Sequence, residues 1–140
     1  MGSDNGALLS EIHIDTMLAL RKAYFKLRQR YENDSRTKEF NGYEVFILIT
    51  ASEPTTPKRF AELLSCKPAQ ITGYVSKLES LNYLKREISQ DDKRSFSFKL
   101  TDLGKEKSRE FFNTTKEIYS QSSGLTVSEN KTLVSLLKKL

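Results

Sequence analysis

The chain has 140 residues, 37% of them hydrophobic, a formal net charge of +5 and a pI near 9.3. That length suits one ordinary domain rather than two with separate cores, and no apolar run approaches the roughly 18 residues needed to span a bilayer. The start, Met1 to Ser10, lacks the basic and apolar segments of a secretory signal, and the single cysteine, Cys66, excludes an internal disulfide, so the expectation is a cytoplasmic protein without membrane association. No Cys/His spacing suits zinc, and no metal or other cofactor is expected.

From about Leu8 to Tyr31, one helical stripe collects Leu8, Ile12, Leu20, Tyr24, Leu27 and Tyr31, and Leu9, Met17, Leu18 and Phe25 widen it. A band this broad predicts a long helix that touches more than one neighbour. The polar stretch Glu32 to Glu39 reads as a loop, and the apolar run Tyr43 to Ile49 as a second helix. Thr56 followed by Pro57 supplies a helix start, because threonine can cap and proline at the first helical position gives up an N–H that has no partner anyway. Phe60, Leu63 and Leu64 would form that helix's inner face. Pro68 marks another start, after which Ile71, Val75, Leu78 and Leu81 recur at spacings of four, three and three. Two short helices across a tight turn are the layout of a helix-turn-helix. Asn82, tolerant of the left-handed conformation, would end the second.

Tyr83 to Ser89 and Ser95 to Leu100 are predicted strands, the second alternating cleanly, with Gln90-Asp91-Asp92-Lys93-Arg94 as a charged hairpin tip. A helix-turn-helix followed by such a hairpin is a winged helix. Thr101 can cap a long helix from Asp102 to about Ser120, and Thr126-Val127-Ser128-Glu129 has the spacing of a capping box before a final helix through Leu133, Leu136, Leu137 and Leu140. The expected fold class is therefore mainly α with a small antiparallel β-hairpin.

Between Thr56 and Thr101 stand nine basic residues (Lys58, Arg59, Lys67, Lys77, Lys85, Arg86, Lys93, Arg94, Lys99) and five acidic ones (Glu62, Glu79, Glu87, Asp91, Asp92), so this third carries +4 of the net charge. A basic surface attracts phosphate, although alone it is weak evidence for a nucleic-acid partner. His13 stands apart from any companion ligand and reads as a packing or surface residue, and Cys66 as a buried structural thiol. No paired nucleophile and base, P-loop or dinucleotide fingerprint is present, which argues against an enzyme.

The segments Phe60-Ala61-Glu62-Leu63-Leu64, Ile71-Thr72-Gly73-Tyr74-Val75-Ser76-Lys77-Leu78-Glu79, Tyr83-Leu84-Lys85-Arg86, Asp92-Lys93-Arg94 and Leu100-Thr101-Asp102-Leu103-Gly104 together resemble the MarR family of bacterial winged helix-turn-helix transcription regulators. The resemblance implies one MarR-like domain over 1–140, with a DNA-binding lobe at about 43–101 and flanking dimerisation helices at about 5–32 and 102–140. It further implies a homodimer on double-stranded DNA, with a recognition helix in the major groove, a wing reaching the minor groove, and a small, often aromatic or anionic effector between the dimer helices and the lobe. Three positions depart from the family pattern. Lys67 and Pro68 stand where serine or threonine often begins the recognition helix, and Asn82 stands where glycine is usual.

On the recognition helix, burial of Ile71, Val75 and Leu78 leaves Ala69, Gln70, Thr72, Gly73, Tyr74, Ser76 and Lys77 on other faces. Gln70 can pair with an adenine edge, Thr72 with either kind of edge or a thymine methyl, and small Ala69 and Gly73 permit close approach. Tyr74 joins Gln70 and Thr72 as an expected major-groove reader. Lys77, Lys85 and Lys93 are expected on phosphates, which set register rather than sequence. Asp92 and Arg94 match the acidic-x-arginine wing signature, in which the resemblance has the acid orient the arginine, and arginine suits a narrow, strongly negative minor groove. The bland readings are a solvated helix face and a solvated charged turn. The function expected is sequence-specific transcription regulation, as a repressor on a pseudo-palindromic operator; release by an effector is what the resemblance implies, and regulation without any small-molecule ligand is equally compatible with the sequence. The alternative is a winged-helix protein-interaction module without sequence-specific DNA binding.

Overall fold

The computed structural model describes residues 2–88 and 96–140, with side chains described from Glu11 onward. Helix α1 spans Gly2–Asn33, α2 Gly42–Thr50, α3 Pro57–Leu64 and α4 Pro68–Ser80; strands β1 (Leu84–Ile88) and β2 (Phe96–Leu100) follow, then α5 (Asp102–Ser122) and α6 (Val127–Leu137). Local chemistry explains most of these boundaries, because the first N–H groups of a helix need acceptors from outside it. Thr56 Oγ1 accepts from Arg59 N at 3.2 Å and Thr101 Oγ1 from Gly104 N at 2.9 Å. Asn41 with Glu44, and Thr126 with Glu129, form reciprocal capping boxes. Lys67 offers no acceptor, so the start of α4 rests on Pro68 and on the Gln70 side chain, whose Oε1 accepts from Lys67 N at 3.2 Å. The turns closing α3 and α4 place Ser65 and Asn82 in the left-handed region, with φ of 52° and 66°.

Val45, Ile47 and Leu48 of α2, Phe60 and Ala61 of α3, and Ile71, Val75 and Leu78 of α4 meet Leu84, Phe98 and Phe111 in one buried core. Each large apolar side chain withdrawn from water there contributes roughly 1.5–3 kcal/mol. Two expectations change. Leu63 is 44% exposed, because Phe60, Ala61 and the half-buried Leu64 define the inward face of α3 and Leu63 falls on its edge at 100° per residue. Leu81 is 42% exposed, since α4 stops at Ser80 and the apolar spacing runs one step beyond the packed helix.

The strands pair antiparallel with Leu84 opposite Leu100 and Ile88 opposite Phe96. Thr55, in the loop before α3, adds a short bridge to Phe98 through backbone hydrogen bonds of 2.9 and 2.8 Å. The hairpin is thereby tied to the helix-turn-helix at its base. The hinge between β2 and α5 is tight, with Thr101 Oγ1 donating to the Asn82 carbonyl at 2.6 Å and Thr101 N to Tyr83 O at 3.1 Å. Helix α5 crosses so close to Tyr83 that only glycine fits at position 104.

Helix α5 packs on α2 and on α1. A clamp holds the loop after α1 to α5: the Arg36 guanidinium bonds both oxygens of Asp34 at 2.9 and 2.8 Å and reaches Glu117 Oε2 at 2.9 Å. Within the chain α1 turns Leu20, Leu27 and Tyr31 inward and leaves Ile12, Ile14, Met17, Leu18, Tyr24 and Phe25 exposed, whereas α6 buries none of its residues. Among the described residues no helix is long and apolar enough to cross a membrane.

Candidate nucleic-acid interface

Helix α4 is held by Ile71, Val75 and Leu78, each at most 1% exposed, and offers Ala69, Gln70, Thr72, Gly73 and Ser76 to solvent. A Cβ on Gly73 would meet nothing within 4 Å, so the helix surface there is open to a close approach. Thr72 Oγ1 donates to Pro68 O at 3.2 Å on an exposed side chain whose oxygen can still accept. Gln70 is half committed, because its acceptor oxygen closes the helix start while its amide N–H groups remain available.

Tyr74 and Lys77 are placed differently from their neighbours. Tyr74 is half-buried against the core and stacks on Tyr43 of α2, with ring centroids 5.2 Å apart and planes 9° from parallel. Burial pushes its hydroxyl pKa up, helped by Tyr43, Cys66 and Glu44 nearby. Lys77 Nζ donates to Glu44 Oε1 and to the Glu39 carbonyl, both at 3.0 Å, and lies 5.0 Å from the centroid of the Phe40 ring. The Glu44 side chain that receives it is only 3% exposed.

Lys85, on β1, lies opposite Lys99 and borders a groove of about 720 Å³ between the C-terminal end of α2, the hairpin and the start of α5. Lys99, which is paired with Glu87, and Lys105 and Arg109 add positive charge to this groove, Glu53 and Asp102 add negative charge, and Ile49, Leu100 and Phe112 add apolar wall. The wing residues Asp92, Lys93 and Arg94 lie outside the described residues. Cys66 is half-buried and packs against the core, and His13 is exposed.

Three residues of the interface were not singled out from the sequence. Tyr43 and Glu44 occupy the first turn of α2, and the Asn41-x-x-Glu44 spacing of a capping box was the one local signal available for the carboxylate. Arg86 lies over the rings of Phe96 and Phe98, at 4.8 and 5.3 Å from their centroids, and reaches Glu79 Oε1 at 3.4 Å, joining the last turn of α4 to the hairpin. A cation on an aromatic face is worth about 0.5–1 kcal/mol at such an exposed site.

Residues 41–96, from the cap of α2 to the first residue of β2, match the MarR family. No curated protein matches the chain by sequence. Among solved structures, CouR from Rhodococcus jostii RHA1 bound to p-coumaroyl-CoA is 16% identical with a TM-score of 0.80, covering 89% of this chain and 90% of its own. MepR of S. aureus in complex with DNA is 17% identical with a TM-score of 0.72, covering 88% and 93%, and apo MarR from E. coli is 21% identical with a TM-score of 0.69, covering 86% and 93%. At these identities the likeness shows the fold: a mainly helical winged helix with a two-stranded antiparallel hairpin. Residues 41–96 thus carry the match to the MarR family, and the chain shares the fold of E. coli MarR over most of its length.

Proposed function

We propose that the protein is a cytoplasmic bacterial repressor that binds a pseudo-palindromic operator as a homodimer and is released by a small aromatic or anionic effector. The observation that carries the DNA reading is the face of α4: a helix pinned by three buried side chains presents small and hydrogen-bonding residues, Ala69, Gln70, Thr72, Gly73 and Ser76, in a lobe matching the MarR family. Gln70 and Thr72 read base edges, with Tyr74 beside them. Lys85 and Lys93 bind phosphates, and Arg94, oriented by Asp92, enters the minor groove. The complex of MepR with DNA supports such an arrangement by its shared fold.

The exposed apolar side chains of α1, together with Val127, Val134, Leu136 and Leu137 of α6, support dimerisation through these helices, since an isolated chain would leave them in water. A two-fold dimer holds the lobes one DNA turn apart, roughly 34 Å, which requires an operator of matching symmetry. The groove bounded by Lys85, Lys99, Lys105 and Arg109 supplies the cations and apolar wall that an aromatic or anionic effector needs, and CouR with its bound p-coumaroyl-CoA supports a ligand-responsive reading. Effector binding shifts the population between lobe spacings and so changes operator affinity.

The test is selection of operators from a random duplex pool at two salt concentrations. A recovered palindrome whose affinity falls steeply with salt is the expected result, because neutralised phosphates release counterions. On that operator Arg94→Ala should lose about 1–3 kcal/mol of binding. Weak, sequence-blind or absent binding would instead favour a protein-interaction module.

A further inference from the structure

We infer that the first turn of α2 is a clamp that sets how the recognition helix meets DNA, with Glu44 and Tyr43 as positioning residues and Lys77 as the clamp's anchor rather than a phosphate contact. The inference rests on the DNA-binding reading above. Its basis is that α2 grips α4 at two positions one turn apart, Tyr74 and Lys77, through adjacent residues of its own first turn. Tyr43 stacks on Tyr74, and Glu44 receives Lys77 Nζ at 3.0 Å.

Glu44 is held rigidly enough to serve. Its carboxylate is nearly buried, and the oxygen that accepts from Lys77 also accepts from Asn41 N at 2.9 Å in the capping box. The Glu39 carbonyl and the face of Phe40 also contact the ammonium, on a lysine side chain that stays 44% exposed. Releasing Lys77 to a phosphate would strip a nearly buried carboxylate of its charged partner, a cost that falls on the Glu44 side of the pair. Helix α2 also packs on α5, so the clamp links the attitude of α4 to a helix outside the helix-turn-helix.

A phosphate contact and a positioning anchor differ in what their loss does. Removing one phosphate contact lowers the slope of log affinity against log salt by about 0.9 and weakens all sequences alike. Loss of an anchor leaves the slope unchanged and reduces the ratio of operator to random-sequence affinity. The experiment measures both quantities on the selected operator and on a random duplex for the wild type, Lys77→Met, and the neutral double variant Glu44→Gln/Lys77→Met, with active concentrations fixed by stoichiometric titration. The double variant guards against misfolding caused by an unpaired Glu44 carboxylate.

The expected result is an unchanged salt slope with a specificity ratio reduced about tenfold in both variants, within the range of directly coupled contacts. A slope lowered by about one with an unchanged ratio makes Lys77 a phosphate contact and overturns the inference, as does a variant unchanged in both quantities. If the wild type itself binds no duplex, the DNA reading fails and the inference falls with it.

Discussion

The carbonyl oxygen of Tyr83 lies 2.0 Å from where a Cβ on Gly104 would stand, with the Tyr83 carbonyl carbon at 2.9 Å. Both obstacles are backbone, and the same carbonyl receives Thr101 N at the foot of the hairpin. Relief therefore requires α5 and the hairpin base to separate. Gly104→Ala should lower stability by about 3 kcal/mol, at the upper end of ordinary overpacking, and urea unfolding reads the change. Wild-type stability in that variant would contradict the packing described.

Leu78 and Leu81 share a sequence spacing but not an environment. Leu78 is fully buried beneath α4, whereas Leu81 follows the helix and is 42% exposed. Leu78→Ala should cost about 2–5 kcal/mol, with cavity formation added to lost burial, and Leu81→Ala no more than about 1 kcal/mol. Thermal melts of the two variants in the same buffer make the comparison.

Replacing Tyr43 by alanine removes the ring that stacks on Tyr74. The stack should contribute about 0.5–1.5 kcal/mol beyond the area it buries. Burial keeps Tyr74 neutral above the ordinary tyrosine value of 10.0, and burial acts on Tyr31 in the same direction. Below pH 10 both states are protonated and this effect is fully present. As pH rises beyond 10, the unfolded chain loses these protons first, so stability should fall toward the folded-state pKa values. Ultraviolet difference titration should show late-ionising tyrosines, with one moved toward 10 in the Tyr43→Ala variant.

Asp34 titrates at about 2 rather than 3.8, because the Arg36 guanidinium and the Arg36 backbone N–H bond its ionised form. A depressed carboxylate stabilises the folded state above its unfolded pKa, and that contribution disappears as pH falls through about 2. Carbon-detected NMR of the Asp34 carboxyl should follow this midpoint. An Arg36→Gln variant should return it toward 3.8 and loosen the contact with Glu117 on α5.

Much of the fold was legible because it is written within a few residues. The Thr56 and Thr101 caps, the Thr126/Glu129 box, proline at the starts of α3 and α4 and left-handed Asn82 all satisfy or end a helix through groups at most four positions away. The hairpin followed from alternation, and the solvent face of α4 from subtraction of its buried positions. Leu63 and Leu81 were misplaced because periodicity gives the spacing of a face but not where a neighbour stops covering it.

The interface divides along the same line. Sequence by itself determined the helix-turn-helix with its hairpin, the basic middle third and the exposed Ala69, Gln70, Thr72, Gly73 and Ser76, since these depend on local pattern and side-chain chemistry. Tertiary structure alone decided that Lys77 closes on Glu44 from 33 positions away, that Arg36 reaches Glu117 across 81, and that Tyr74 stacks on Tyr43. No local pattern encodes such pairs. A lysine or tyrosine on a helix carries the same propensity whether it meets water, DNA or a carboxylate, and only the packing of α2 against α4 selects which.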